Sequence, residues 1–246
     1  MQILLANAKI MLDHSAVKPL TVPRFHAVAQ GMASELAQLD IEEMSRQLGC
    51  SRKIAAENCL RFRDFPFAPR MPAIMAYNGQ AYKHLQASTL SRQALKFAQG
   101  HLWITCFLYG LLRPLDGIAP YRIEHGMKLQ ATGDVPLDRY WRELLTDVLI
   151  DSVKADDGTL IHLSTKEFES LFDWKRVCRE VQVIQPLFYV RNGQKESIQA
   201  VWAKTGRGAL VRYIIENQLK TTKEIENFSY AGFLYEDNPE RFVRDI

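Results

Sequence analysis

The run Leu102-Trp103-Ile104-Thr105-Cys106-Phe107-Leu108 leads into Tyr109-Gly110-Leu111-Leu112-Arg113-Pro114-Leu115-Asp116-Gly117-Ile118-Ala119-Pro120-Tyr121-Arg122-Ile123-Glu124-His125-Gly126, and the reading of this join decides the fold. The apolar run is too short and too aromatic for a free-standing helix, so it reads as a buried strand. The segment after it turns at prolines and a glycine and sets down Arg113, Asp116, Arg122 and Glu124 within twelve positions. Charged groups cost free energy to desolvate unless they are paired or wet. Their density beside a core strand predicts a polar cleft at a strand end, where open sheets place their ligands.

Upstream, Ile3-Leu4-Leu5-Ala6 reads as a short strand running into Asn7-Ala8-Lys9. Phe25, Val28, Ala29, Met32, Leu36 and Leu39 form a helical stripe. Asp40, with Glu43 three places on, caps a second helix that stops at Gly49, and Ser51 caps a third running to about Arg61. Residues 72–79 read as a strand closing on the Asn78-Gly79 turn, and Ser91 caps a helix to about Gln99. Downstream, Trp141, Leu144, Leu145, Val148, Leu149 and Val153 mark the clearest helix. Leu160–Leu163 is another strand, and Ser164-Thr165 caps a helix over residues 167–172. Residues 181–190 and 197–203 flank Asn192-Gly193 as a hairpin. Lys204-Thr205-Gly206-Arg207-Gly208 then leads into a helix, and Thr221 with Glu224 caps a last short one. Hairpin and crossover connections alternate, which predicts a mixed α/β (α+β) fold: one compact domain over residues 1–246, with a mixed sheet wrapped by helices.

The whole-chain numbers suit this. With 246 residues the chain can bury a large core without staples, and 47% hydrophobic with 24% charged residues is an ordinary globular balance. No apolar run reaches bilayer length, and the start lacks a basic leader, so neither membrane nor export is expected. Cys50, Cys59, Cys106 and Cys178 form no CxxC pair and the six histidines no HExxH, so neither metal nor cofactor is expected. The net charge of +3 permits an acidic partner without demanding one. Between Arg46 and Arg70, however, six basic residues face two acidic ones.

Two chemistries follow. The helices around Leu48-Gly49-Cys50-Ser51 (residues 38–62) resemble a helix-hairpin-helix, whose turn and second helix offer backbone N–H groups to a phosphate, with Lys53 placed to help; a plain αα-hairpin has the same pattern. Lys204, Arg207 and Arg212 bracket two glycines at the expected start of a helix, where a backbone can approach an anion. Arg113, Tyr121, Arg122 and Glu124 could bind or transform a phosphorylated or nucleotide-like ligand, or could form a lattice that locks the loop. No nucleophile–base pair, Walker loop or GxGxxG is present, so no reaction is named.

The phrase Leu108–Asp116 followed by Pro120–Gly126 resembles the signature of the YaaA peroxide-stress family. The likeness extends to Ala8-Lys9, Ser51–Ala55 with Arg61-Phe62, Ala76–Gly79 with Tyr82, Phe97–Gln99, Ala203-Lys204 with Arg207-Gly208, and Arg212–Asn217. It implies a cytoplasmic protein of the oxidative-stress response that limits free iron and binds duplex or branched DNA through a basic cleft and a helix-hairpin-helix. By position it implies DNA contact at Lys9, Lys53, Arg61, Lys204, Arg207 and Arg212, and cleft architecture at Arg113, Tyr121, Arg122 and Glu124. A monomer is the expectation. The chain departs from the family pattern at Asn7, where proline is usual, at Asn78 and Gln80, where lysine and aspartate flank the glycine, and at His162–Thr165.

Overall fold

The computed structural model describes residues 1–236 and 240–246. In chain order its strands are β1 (Gln2–Ala6), β2 (Met71–Pro72), β3 (Leu102–Cys106), β4 (Gly110–Leu112), β5 (Gly117–Ile118), β6 (Thr159–Leu163), β7 (Gln182–Ile184), β8 (Leu187–Asn192), β9 (Lys195–Ser197), β10 (Leu234–Tyr235) and β11 (Arg241–Asp245). Its helices are α1 (His26–Leu36), α2 (Ile41–Leu48), α3 (Arg52–Arg63), α4 (Ala73–Ala76), α5 (Gln80–Leu85), α6 (Arg92–His101), α7 (Leu137–Lys154), α8 (Lys166–Glu169), α9 (Trp174–Glu180) and α10 (Ala200–Asn217). The fold is mixed α/β, as the sequence predicts.

The strands do not share one sheet. A five-stranded sheet has the order β4-β3-β1-β6-β7, a four-stranded sheet the order β10-β11-β8-β9, and β2 pairs with β5 as a ribbon. In the larger sheet β1 is parallel to both β3 and β6, with Ile3 opposite Leu102 on one side and Ile161 on the other. Every residue of β3 and β6 is buried, and β1 is buried through Leu5. That is why these strands read as continuous apolar runs rather than alternating ones: both faces are covered.

Most of the local capping signals hold, although Thr165 at the start of α8 makes no side-chain cap bond. Asp40 accepts from the Glu43 amide at 2.8 Å, Ser51 from Ile54 at 3.4 Å and Ser91 from Ala94 at 3.1 Å. Thr221 and Glu224 form a full capping box. Gly49 takes the left-handed conformation (φ +54°) that ends α2 and starts the turn to α3, so the αα-hairpin exists as a packed pair.

Four expectations need correction. Residues 73–76 form a helical turn, because a wholly buried apolar run carries no period to separate helix from strand. The expected strand 181–190 is split at Gln185-Pro186 between the two sheets, since proline fixes φ and has no N–H to donate. The hairpin at Asn192-Gly193 ends its second strand at Ser197, because pairing with β8 stops at Val190, and α10 begins at Ala200. The helix expected over residues 167–172 shrinks to α8, followed by α9 with Asp173 accepting from Arg176 at 3.1 Å. Among the described residues no helix is long and apolar enough to cross a membrane.

Candidate functional site

The loops leaving β1 and β6 diverge. From β1 the chain next joins the sheet at β3 on one side, and from β6 it joins at β7 on the other. Such a switch point leaves a crevice at the carboxyl ends of the two strands. A cavity of about 370 Å³ lies there, lined by Asn7 and Lys9 after β1, Thr165 and Phe168 after β6, and Phe107 after β3. Tyr121, Arg122 and Glu124 form another wall, and α5 and α10 close the remaining side with Gln80, Lys204 and Arg207.

Glycines bring these pieces together. A Cβ on Gly79 would come within 2.7 Å of the Ala8 side chain, so this glycine lets the loop after β1 lie against the start of α5. A Cβ on Gly208 would stand 1.9 Å from the Ala81 carbonyl oxygen, and one on Gly206 would stand 2.2 Å from the Phe188 ring. The expected phosphate-cradling role of Gly206 and Gly208 is therefore corrected: both lie inside α10 and let it press against α5 and β8. That approach places Lys204 and Arg207, one turn apart on α10, at the cavity.

Charge pairing around the cavity is uneven. Glu124 accepts from Lys9 at 2.7 Å and from Arg122 at 3.1 Å, so this carboxylate is held between two cations. Nε of Arg122 is buried with no partner among the described residues. Lys204 and Arg207 have no hydrogen-bonding or ion-pairing partner there either. Burial lowers the pKa of Arg207, and no carboxylate offsets the lowering. Behind the wall, the hydroxyls of Tyr77 and Tyr121 share a hydrogen bond of 2.7 Å, and Asn7 donates to Tyr121 at 3.3 Å. Burial drives the Tyr121 hydroxyl well above its ordinary pKa, so it stays protonated and serves as a hydrogen-bonding group rather than a base.

Six of the sequence-predicted residues thus converge: Lys9, Tyr121, Arg122, Glu124, Lys204 and Arg207. Arg113 does not. Its guanidinium donates to Gln2 Oε1 at 3.1 Å, to the Leu102 carbonyl at 3.2 Å and to Ser152 Oγ at 3.2 Å, and lies 3.4 Å above the Trp103 ring. Gln2 and Leu102 begin β1 and β3, so Arg113 sits at the amino end of the sheet, about 16 Å of strand away. Proline turns the chain back after β4, and sequence proximity to Arg122 is lost. Arg212 is also diverted: it pairs with Glu216 and donates to the carbonyls of Leu85 and Gln86 at 3.0 Å, tying α10 to the end of α5. Arg61 pairs with Glu57 along α3, and Lys53 is exposed on the first turn of that helix, outside the cavity.

A shallower groove continues outward from the same wall. It shares Lys9, Arg122 and Glu124 with the cavity and runs past Lys128 to Arg46, Leu48 and Gly49 at the α2–α3 turn. The sequence reading missed Lys128, Phe107, Phe168 and Glu167; their only signal is position just past a strand end or the central loop. Three of the departures from the family pattern bear on the cavity directly, Thr165 of the His162–Thr165 stretch by lining it. Asn7 bonds Tyr121, and Gln80 donates to Thr205 Oγ1 at 3.0 Å. His162, at 2% exposure, sits behind it against Glu169 at 3.1 Å, and Asn78 lies in the turn before α5.

A family model described as peroxide stress protein YaaA matches residues 1–239. The chain belongs to the YaaA peroxide-stress family. Relatives named UPF0246 protein include one from Bacteroides thetaiotaomicron, 40% identical over 97% of this chain and 94% of its own length. Another, from Phocaeicola vulgatus, is 41% identical over 96% and 94%. A more distant one from Hahella chejuensis is 34% identical over 96% and 94%. Membership in the YaaA family gives the chain a role in the response to peroxide stress.

Proposed function

We propose that this YaaA-family chain binds DNA through the basic concavity formed by the cavity and the groove, and so helps protect DNA from damage driven by free iron. The observation that carries the reading is the continuity of that concavity. Lys204 and Arg207 line one end, Lys9 and Arg122 stand in the middle, and Lys128 and Arg46 lie at the α2–α3 turn. Cations spaced along a groove suit a polyanionic backbone, where each neutralised phosphate releases counterions. Among the described residues no exposed helix rich in Asn, Gln and Arg marks a base-reading element, so the binding is read as independent of sequence. Lys53, exposed on the first turn of α3, is the hairpin's own contribution to this reading. The reading carries with it an iron-limiting role, a cytoplasmic setting and a monomeric single domain.

The test is a salt titration of affinity for a short duplex and for a branched junction. Affinity falls steeply with salt, and replacing Lys128 and Lys204 by alanine reduces the slope of log affinity against log salt by about 1 per residue. Replacing Arg212, which is tied to α5, leaves the slope unchanged. Affinity indifferent to salt, or absent at low salt, overturns the reading.

A further inference from the structure

The inner end of the concavity differs from the groove in shape and in charge state. It is a pocket open on one side, at the small end of the roughly 300–1,000 Å³ typical of small-molecule sites, with apolar walls from Phe107 and Phe168, whose rings stack at 4.9 Å. Among the described residues its two cations on α10 pair with no carboxylate, while of the two acids in the lining Glu124 is engaged by Lys9 and Arg122 and Glu167 lies 3.7 Å from His125. A guanidinium partly withdrawn from water without a carboxylate beside it is less stable than a paired one. It persists where a ligand supplies the missing anion, the usual exchange of stability for function at a site.

We propose that this inner cavity is a receptor for a terminal phosphate monoester, held by Lys204 and Arg207, with the sugar-sized body of the ligand against the Phe107–Phe168 wall. The charge count favours this chemistry. A phosphate monoester carries close to two negative charges at neutral pH, and the lining sets Lys9, Arg122, Lys204 and Arg207 against only Glu124 and Glu167, with the two α10 cations unpaired. A planar guanidinium can take two phosphate oxygens at once, and the ammonium of Lys204 a third. An internal phosphodiester fits the inner end less well, because it carries one charge and has a sugar on each side. The proposal goes beyond duplex binding, which uses the pocket and the outer groove together, and a monoester can be held at the inner end whether or not a duplex binds. The monoester can belong to a free sugar phosphate or nucleotide, or to the 5′ end of a strand.

Titration calorimetry and thermal melting at constant ionic strength separate these cases. Adenosine 5′-monophosphate and ribose 5-phosphate are compared with adenosine and ribose, and a 5′-phosphorylated duplex with its 5′-hydroxyl twin. The phosphorylated member of at least one pair binds more tightly and raises the melting temperature. A response to the small esters assigns a free metabolite, and a response to the duplex alone assigns a strand end. Arg207→Met lowers that preference by about 10- to 100-fold, as expected for loss of a charged hydrogen-bond donor. The same variant melts higher than wild type without ligand, which a merely structural arginine would not do. Lys204→Ala, at an exposed position, lowers the preference with the fold untouched. Equal binding of both members of every pair overturns the proposal, even if the duplex binds with a steep salt dependence. Binding of the monoesters with no salt-sensitive duplex affinity upholds it and removes the groove reading instead.

Discussion

The two ends of the parallel strands each hold an arginine drawn out of water, and the surroundings treat them in opposite ways. At the amino end Arg113 is saturated: an amide, a carbonyl and a hydroxyl accept from it, and an indole lies beneath it. Burial brings its pKa down to about 10, with Asp116 and Asp156 pulling back. Nearby, the buried amino terminus meets Asp156 at 3.0 Å and Asp157 at 3.1 Å. At the carboxyl end Arg207 has neither acceptor nor carboxylate among the described residues, and faces a cavity. Closed polar groups stabilise a fold; open ones await a ligand. The sheet therefore has an end whose arginine is fully paired and an end whose arginine is not.

The largest way to break this comparison is to disturb what holds the unpaired end together. Gly208→Ala puts a methyl group 1.9 Å from the Ala81 carbonyl and forces α10 away from α5. The expected cost is at least about 3 kcal/mol in denaturant unfolding, with loss of ligand response. An unchanged midpoint would mean that the helices have room to spare. Next comes Arg113→Leu, which deletes three hydrogen bonds and leaves the Leu102 carbonyl unsatisfied. It should cost about 2 kcal/mol while leaving binding at the far end intact. If it weakened binding as well, the two ends would not be separable.

A smaller test uses pH. Burial holds His26, His84, His101 and His162 below the ordinary 6.5, with Asp156 and Glu169 partly offsetting this at His101 and His162. As pH falls past 6.5 the unfolded chain takes up protons that the folded one resists, so stability declines on acidification and is regained at neutrality. The melting temperature should fall steadily between pH 7 and pH 5. The charge of Arg207 also lowers His162, so Arg207→Met should raise the His162 midpoint in an NMR titration. A flat melting profile, or an unmoved His162 in that variant, would break the link between the open arginine and its surroundings.

How much of this could be read in advance depended on distance along the chain. The caps at Asp40, Ser51, Ser91 and Thr221 were legible because each joins residues three apart. So was α7, whose buried Trp141, Leu145, Leu149 and Val153 repeat each turn. Family membership was legible in the long central phrase. Residues 73–76 were not, because uniform burial erases the period that distinguishes helix from strand. Gly206 and Gly208 were read as an approach to a phosphate, when the approach is made by Phe188 and Ala81, over a hundred residues upstream for the latter.

By itself, then, the amino-acid order determined the helix boundaries set by local hydrogen bonds, the buried strands, the mixed α/β class and the peroxide-stress kinship. Tertiary structure alone decided which cations meet. Lys9, Arg122, Lys204 and Arg207 converge because β1 and β6 are neighbours whose loops diverge, while Arg113, close to Arg122 in sequence, is carried to the opposite end. The physical reason is that capping and periodicity act within a turn or two of chain. Pairing of charges and opening of a cavity depend on strand order, which local chemistry does not encode.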